Sequence, residues 1–296
     1  MSDTFASTGE MSSTEKEKKR TRTRRRISER FHRKWRCLSL IVSCCIDKGL
    51  LYYNVLLYST MTKLSQLILG DTGCASYIIF CEKRNKAAIV DSFLGFEENI
   101  EKELMKLGSP TVEYVIDTHN HADRRSSSPL FSKKHNTGGI VKSSKTPYKG
   151  QIKPTEDGDI ILVGEVQVEV MFTPGHTPDH NCYLVDNEYL LTGDCLFIGD
   201  VGRIDLGGDY RKKSDLMFDS LRRLEKLDPN LRIYPNHVGA VHAISSEATY
   251  SQLGHEIETN EAMQIKDKDE FFTYMTEGWP PKPDDWEQII QDNLNG

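Results

Sequence analysis

A four-layer αββα sandwich is the α/β fold class that the sequence predicts: two β-sheets face to face, with helices outside. Three observations point to it. Apolar runs of strand length recur from residue 64 onward, separated by polar turns. The runs fall into two series, each closed by a stretch with helical spacing, which reads as a duplicated αβ half. His or Asp stands in the turn after four of the runs, so the ends of separate strands are arranged about one site.

The elements follow in order. Runs 64–69, 76–81 and 87–90 read as strands, with Gly70-Asp71-Thr72-Gly73 and Arg84-Asn85-Lys86 as the turns between them. Residues 96–107 have helical spacing and stop at Gly108. Run 112–116 is a strand, 126–134 a helix and 138–141 a strand, followed by a polar loop containing Pro147, Gly150 and Pro154. The second series comprises strands 159–163, 166–172, 181–185 and 189–191, and Asp186-Asn187-Glu188 joins the last two by a tight turn. Residues 209–227 form the longest helical stretch, ending at Asp228-Pro229, and 232–234 is a short strand. Helices are expected at 246–254 and 267–276, before a break at Pro280-Pro281-Lys282-Pro283.

The N-terminal part reads differently. Residues 1–60 hold 13 Lys and Arg against 6 Asp and Glu, and the remaining residues 25 against 38. We therefore expect residues 1–60 to be a basic, disordered extension, or sequence upstream of a working start at Met61, and residues 61–296 to be the catalytic domain. The acidic balance of 61–296 argues against general nucleic-acid binding. The apolar stretch 38–58 is broken by Asp47-Lys48-Gly49 and so does not match a membrane span. The seven cysteines are dispersed with no CxxC pair, which predicts reduced thiols and a soluble, cytoplasmic protein.

The chemistry gathers at Thr118-His119-Asn120-His121-Ala122-Asp123-Arg124, just past strand 112–116. Two imidazoles and a carboxylate in five residues are a dense ligand set, and the alternation aims several of them at one point. Thr173-Pro174-Gly175-His176, Thr192-Gly193-Asp194 and Pro235-Asn236-His237 look like its partners. His119, His176 and Asp194 give two imidazoles and one carboxylate on three separate turns, which suits Fe(II) with open positions for substrate and oxygen. His121, Asp123 and His237 are expected as further metal ligands or as their supports. His180, His242 and His255 lie outside these motifs and read as surface or core histidines, and Cys195 as a small buried residue.

These motifs, THNHADR, TPGHTPDH, TGDCLFIGDVGRID and YPNH, resemble those of the metallo-β-lactamase superfamily, over residues 61–296. The resemblance implies the same αββα sandwich. Within the superfamily, GDCLFIGDVGRID and the stretch from Ser245 to Glu261 look like the persulfide dioxygenase branch, which is related to glyoxalase II. That branch binds one iron and oxidises a glutathione persulfide with O2 to sulfite and the free thiol. By this resemblance the iron ligands are His119, His176 and Asp194, and Arg203 and Asp205 of the Gly-Arg-Ile-Asp segment lie beside the pocket. Arg203 then either orients Asp194 or the substrate anion, or pairs with Asp205 to pin the loop. The resemblance also implies a functional link to rhodanese sulfurtransferase, to which some members of the branch are fused, and is compatible with a homodimer.

One departure matters. The family normally has His where Arg124 stands, and in two-metal hydrolases that His helps hold the second metal with Asp123 and His237. A guanidinium stays charged and has no lone pair to give. Arg124 thus argues against a dinuclear zinc hydrolase and is tolerable in a one-iron enzyme, where it pairs with Asp123 or contacts an anionic substrate. The alternatives are a mononuclear Zn(II) hydrolase of a thioester or other acyl substrate, and an inactive binding relative.

Overall fold

The computed structural model describes residues 62–69, 73–238, 248–279 and 281–296. The extension at residues 1–60 and His242 lie outside the described residues. The first sheet runs β1 (Thr62–Ile68), β2 (Ala75–Cys81), β3 (Lys86–Val90), β4 (Thr111–Ile116), β5 (Ile140–Ser143) and β6 (Ile152–Thr155), neighbours in chain order. The second runs β12 (Ser251–Gln252), β11 (Arg232–Pro235), β10 (Tyr189–Gly193), β9 (Asn181–Val185), β8 (Val166–Phe172) and β7 (Ile160–Val163). Hairpin-linked neighbours pair antiparallel. Parallel neighbours need a crossover. Helix α1 (Glu97–Lys106) joins β3 to β4, α2 (Ser128–Lys134) joins β4 to β5, and α3 (Tyr210–Leu224) joins β10 to β11.

Strand alternation builds the four layers. Successive side chains of a strand point to opposite faces. Tyr77, Ile79, Ala88, Val90 and Ile116 of the first sheet meet Val163, Val168, Val170, Tyr183 and Leu191 of the second in the central core. The alternate residues Ile78, Phe80, Ile89 and Val115 face outward onto Ile100 and Leu104 of α1 and Phe131 of α2. Met171, Cys182, Leu184, Leu190 and Ile233 likewise face Met217, Leu221 and Leu224 of α3. That outer layer is completed by Leu253 of α4 (Leu253–Thr259), Met263 of α5 (Glu261–Gln264), and Phe271 and Met275 of α6 (Lys268–Thr276). Each fully buried Leu or Ile contributes about 1.5–3 kcal/mol. The chain ends in α7 (Trp286–Asn295).

Several expectations are corrected. β6 falls in what the sequence presents as a polar loop, with Ile140 to Ser143 of β5 pairing to Ile152 to Thr155. Part of the helix expected at 246–254 is strand: Ser251 and Gln252 pair with Ile233 and Arg232, and the helix begins at Leu253. The edge of β11 offers backbone partners, and pairing there overrides local helical spacing. Helices α5 and α7 were not anticipated.

The strand ends converge. His119 follows β4, His176 follows β8, Asp194 follows β10 and His237 follows β11. Two tyrosines of the core tie the sheets together beneath them. Tyr77 of β2 donates to the Pro235 carbonyl (2.5 Å), and Tyr183 of β9 donates to the Asp117 carbonyl (3.1 Å). No helix among the described residues is long and apolar enough to cross a membrane.

Candidate metal centre

His119, His176 and Asp194 are all buried, and each offers a ligand atom within 4.8 Å of the other two. Asp194 Oδ2 lies 3.4 Å from His176 Nε2 and 3.7 Å from His119 Nε2. Donors about 2.1 Å from one ion stand roughly 3.0–3.4 Å apart at octahedral or tetrahedral angles. The spacing is thus close to that of a bound set.

The other atom of each group is already engaged, which fixes its orientation. His176 Nδ1 donates to the Arg203 carbonyl at 2.7 Å, which leaves the Nε2 lone pair facing Asp194. His119 Nδ1 meets Thr118 Oγ1 at 2.9 Å, and its Nε2 is buried with no hydrogen-bond partner. Asp194 accepts from His237 Nδ1 through Oδ1 at 2.9 Å, which leaves Oδ2 to the histidines. Burial, with the neighbouring imidazoles, pushes His119 well below its ordinary range, so it is neutral. Burial opposes ionisation of Asp194, but the His237 charge and hydrogen bond hold its carboxyl well below the usual range. Two neutral imidazoles and a carboxylate, one nitrogen orphaned in a buried position, fit a divalent metal. His121 Nδ1 is also buried without a partner, while its Nε2 contacts Asp91 Oδ1 at 3.2 Å.

The second position is different. Asp123 Oδ2 accepts from His237 Nε2 at 2.8 Å and lies 3.5 Å from Arg124 NH1. Arg124 is buried, its NH1 is 3.4 Å from His237 Nε2, and its guanidinium carbon stands 5.1 Å from the Phe93 ring centre. Burial works against the charge on His237, yet the Asp194 and Asp123 carboxylates hold its imidazolium well above the usual range. Burial opposes Arg124 as well, and Asp123 most strongly restores its charge. Two cationic side chains therefore stand among the Asp123 and Asp194 carboxylates. Cys74 Sγ lies 3.6 Å from Asp123 Oδ2 at the same place.

Arg203 and Asp205 form a bidentate pair (Nε–Oδ1 2.6 Å, NH2–Oδ2 2.9 Å), and Lys282 Nζ lies 3.5 Å from Asp205 Oδ2. The contact from this segment to the ligand set is therefore the Arg203 carbonyl. Gly202 makes that possible: a Cβ there would stand 1.8 Å from the Asp194 carbonyl oxygen, so a side chain would drive the segment off the site. A cavity of about 280 Å³ opens onto His176, Asp194, Asp123 and His237, with Phe197, Leu206, Arg203, Trp279 and Lys282 in its wall.

Sequence reading missed two supports. Asp91, buried at the end of β3 with φ +53°, accepts from the Thr118 backbone N–H at 2.8 Å and contacts His121. His180 is fully buried, and its ring stacks on His119 with centres 5.1 Å apart. His180 Nε2 accepts the Asp194 backbone N–H at 3.0 Å, and Nδ1 meets Thr173 Oγ1 at 3.0 Å. Burial pushes it down to about 4, so it is neutral and able to accept. His180→Leu leaves the Asp194 N–H unsatisfied in the interior. We expect the metal-free variant to lose about 1–3 kcal/mol of stability in urea unfolding. An unchanged midpoint and slope would mean that another acceptor takes over. His255 lies on α4, Cys195 is fully buried, and none of the four described cysteines is in a disulfide.

The family model of the metallo-beta-lactamase superfamily matches residues 69–237. A hydroxyacylglutathione hydrolase of Pseudoalteromonas translucida is 28% identical over 127 residues, covering 43% of this chain and 47% of that protein. One from Francisella tularensis subsp. novicida is 31% identical, covering 52% and 59%. The chain thus spans about half the length of these curated relatives. Among solved structures, a metallo-beta-lactamase from Staphylococcus aureus subsp. aureus COL superposes with TM-score 0.73 at 28% identity, covering 79% of this chain and 73% of that one. ETHE1 from Myxococcus xanthus superposes with TM-score 0.67 at 26% identity, covering 78% and 96%. The family match runs from the end of β1 to the histidine after β11, a span that holds ten of the twelve strands and all the strand ends at the site, and the chain belongs to the metallo-β-lactamase superfamily.

Proposed function

We propose that residues 61–296 form a mononuclear non-haem iron dioxygenase that oxidises a low-molecular-weight thiol persulfide, glutathione persulfide above all. The overall change is RSSH + O2 + H2O giving RSH, sulfite and two protons. The observation that carries the reading is the asymmetry of the two metal positions. One groups His119, His176 and Asp194, and the other groups Cys74, Asp123 and His237 with the Arg124 guanidinium set against Asp123 and His237. Three protein ligands with open positions suit an iron that takes both substrate and O2.

Iron at His119, His176 and Asp194 would supply electron transfer between the persulfide sulfur and O2. The chain's residues do the rest. Asp194 is oriented by His237, and His176 by the Arg203 carbonyl. Phe197, Leu206 and Trp279 keep water from the reacting sulfur, and Arg203 and Lys282 in the same wall share the Asp205 carboxylate, which leaves one net positive charge for a carboxylate of a peptidic thiol. The likeness to the Myxococcus ETHE1 structure over nearly all of that chain supports this branch.

A second reading has its own support. Several curated relatives are hydroxyacylglutathione hydrolases, and a single zinc on the same three ligands would supply Lewis acidity for thioester hydrolysis. Both readings place a glutathione-derived substrate in the same cavity. Metal analysis of anaerobically purified protein, paired with O2 uptake on glutathione persulfide, separates them. We expect iron at about one equivalent per chain and persulfide-dependent uptake. Zinc with no uptake, and turnover of an acylglutathione, would overturn the dioxygenase reading.

A further inference from the structure

The loop from His119 to Ser126 carries His119, His121 and Asp123 and lies outside helix and strand except at its end, where Ser126 bridges to Phe93 and the Arg125 carbonyl accepts the Leu94 N–H at 2.8 Å, so the rest of its backbone needs other partners. Much of that hold comes from the far end of the chain. Asn293 on α7 is buried, and its side-chain amide makes three hydrogen bonds to the loop backbone. Nδ2 donates to the His121 carbonyl at 3.0 Å and to the Arg124 carbonyl at 2.8 Å, while Oδ1 accepts the Ser126 backbone N–H at 2.7 Å.

The surrounding contacts serve the same fastening. Arg125 donates to Asp292 at 2.8 Å and to Asp285 at 3.3 Å, and Asn120 Nδ2 reaches the Ile290 carbonyl at 3.4 Å. These pairs are largely exposed, and exposed ion pairs contribute little. Of the ten residues of α7, only Ile289 and Asn293 are buried. A helix this open does not add much core. Its one buried polar side chain is spent on the backbone that presents the metal ligands.

We propose that Asn293 is a positioning residue for the metal centre. It fixes the His121, Arg124 and Ser126 backbone so that His119 and its neighbours meet His176 and Asp194. The segment before α7 supplies Trp279, Pro281, Lys282 and Pro283 to the cavity wall, so the C-terminal stretch frames the ligand loop and the substrate pocket together. The inference rests on the metal position and not on which metal or substrate is native.

The test uses Co(II) as probe on the full chain. Asn293→Ala removes all three hydrogen bonds. Asn293→Asp keeps the shape and the acceptor but loses both donations. Ile289→Ala loosens the packing of α7 while leaving the amide in place. We expect both Asn293 variants to bind Co(II) about 10–100-fold more weakly, the cost usual for groups that orient ligands. Their visible cobalt spectra should also change, and residues 119–127 of the metal-free protein should exchange amide hydrogen faster. Ile289→Ala should bind Co(II) within about threefold of the parent. Unchanged affinity and exchange in the Asn293 variants would overturn the proposal. So would an equal loss in Ile289→Ala, which would make the role simple docking of the helix. If the parent chain took up no cobalt, the metal reading would fail, while the loop exchange would still decide the role of Asn293.

Discussion

His119→Ala is expected to abolish metal binding while leaving the metal-free fold nearly as stable as the parent. The two effects differ in size because of what the side chain does without metal. His119 Nε2 is buried with no partner, and its imidazole stands against those of His121, His176 and His180. An unsatisfied buried polar atom costs about 1–3 kcal/mol, so deleting the ring offsets part of the packing it removes. With metal the balance reverses. His119 is one of the three proposed ligands, and its loss should weaken binding by more than about 100-fold, beyond what a supporting residue costs. A ligand at 100 times its dissociation constant stabilises the fold by about 2.7 kcal/mol. Thermal unfolding with and without Fe(II) or Zn(II) under anaerobic conditions therefore separates the readings. The parent should gain stability on metal addition, and the variant should gain none. If both rise equally, the ion binds elsewhere. If the metal-free variant fails to fold, His119 is a structural histidine. His176→Ala and Asp194→Ala should behave alike toward metal. Asp194→Ala should cost more stability, since it leaves His237 with Asp123 as its remaining carboxylate partner.

The apolar runs separated by polar turns made ten of the twelve strands legible in the sequence. Ile78 and Ile79 sit on opposite faces of β2 and belong to different layers. The tight turn at Asp186-Asn187 was equally legible, and both residues adopt positive φ. The candidate ligands His119, His176 and Asp194 could be picked out too, because each lies within four residues of a strand end. What escaped was set by partners distant in sequence. β6 contains Pro154 and charged neighbours, and only its pairing with β5 makes it a strand. Helix α7 does carry helical spacing, at Trp286, Ile289, Ile290 and Leu294, and the proline break shortly before it masked that signal. Asp91, His180 and Asn293 contact the site through backbone groups 27, 14 and 167 to 172 residues away. No local pattern announces such a contact. His180 had one hint: it stands four residues past His176, on a strand boundary where a polar ring must find a partner in the interior.

Arg124→His is expected to raise the metal content from about one ion per chain to about two, with zinc or cobalt as the probe. The reasons lie in the charges at the second position. Asp123, Asp194 and His237 already face one another there, and Cys74 Sγ is 3.6 Å from Asp123. Those carboxylates are now balanced by the Arg124 guanidinium and by a proton on His237. A divalent ion entering would have to displace that proton and sit beside a fixed positive charge, since arginine does not deprotonate. Histidine at 124 removes the fixed charge and supplies a lone pair. The substitution should also have a stability cost without metal. Removing one member of a buried ion pair costs about 3–5 kcal/mol, and the lower end applies here because Asp123 is partly open to solvent. The signature is therefore a crossing: Arg124→His is less stable than the parent in chelator and gains more than the parent from added zinc. Two ions in the unmodified chain would refute this account of Arg124, and with it the asymmetry on which the one-iron reading depends. One ion in both chains would place the barrier elsewhere, in the His237 proton held by Asp123 and Asp194. His237→Gln, which carries no such proton, would then be the variant whose metal content decides it.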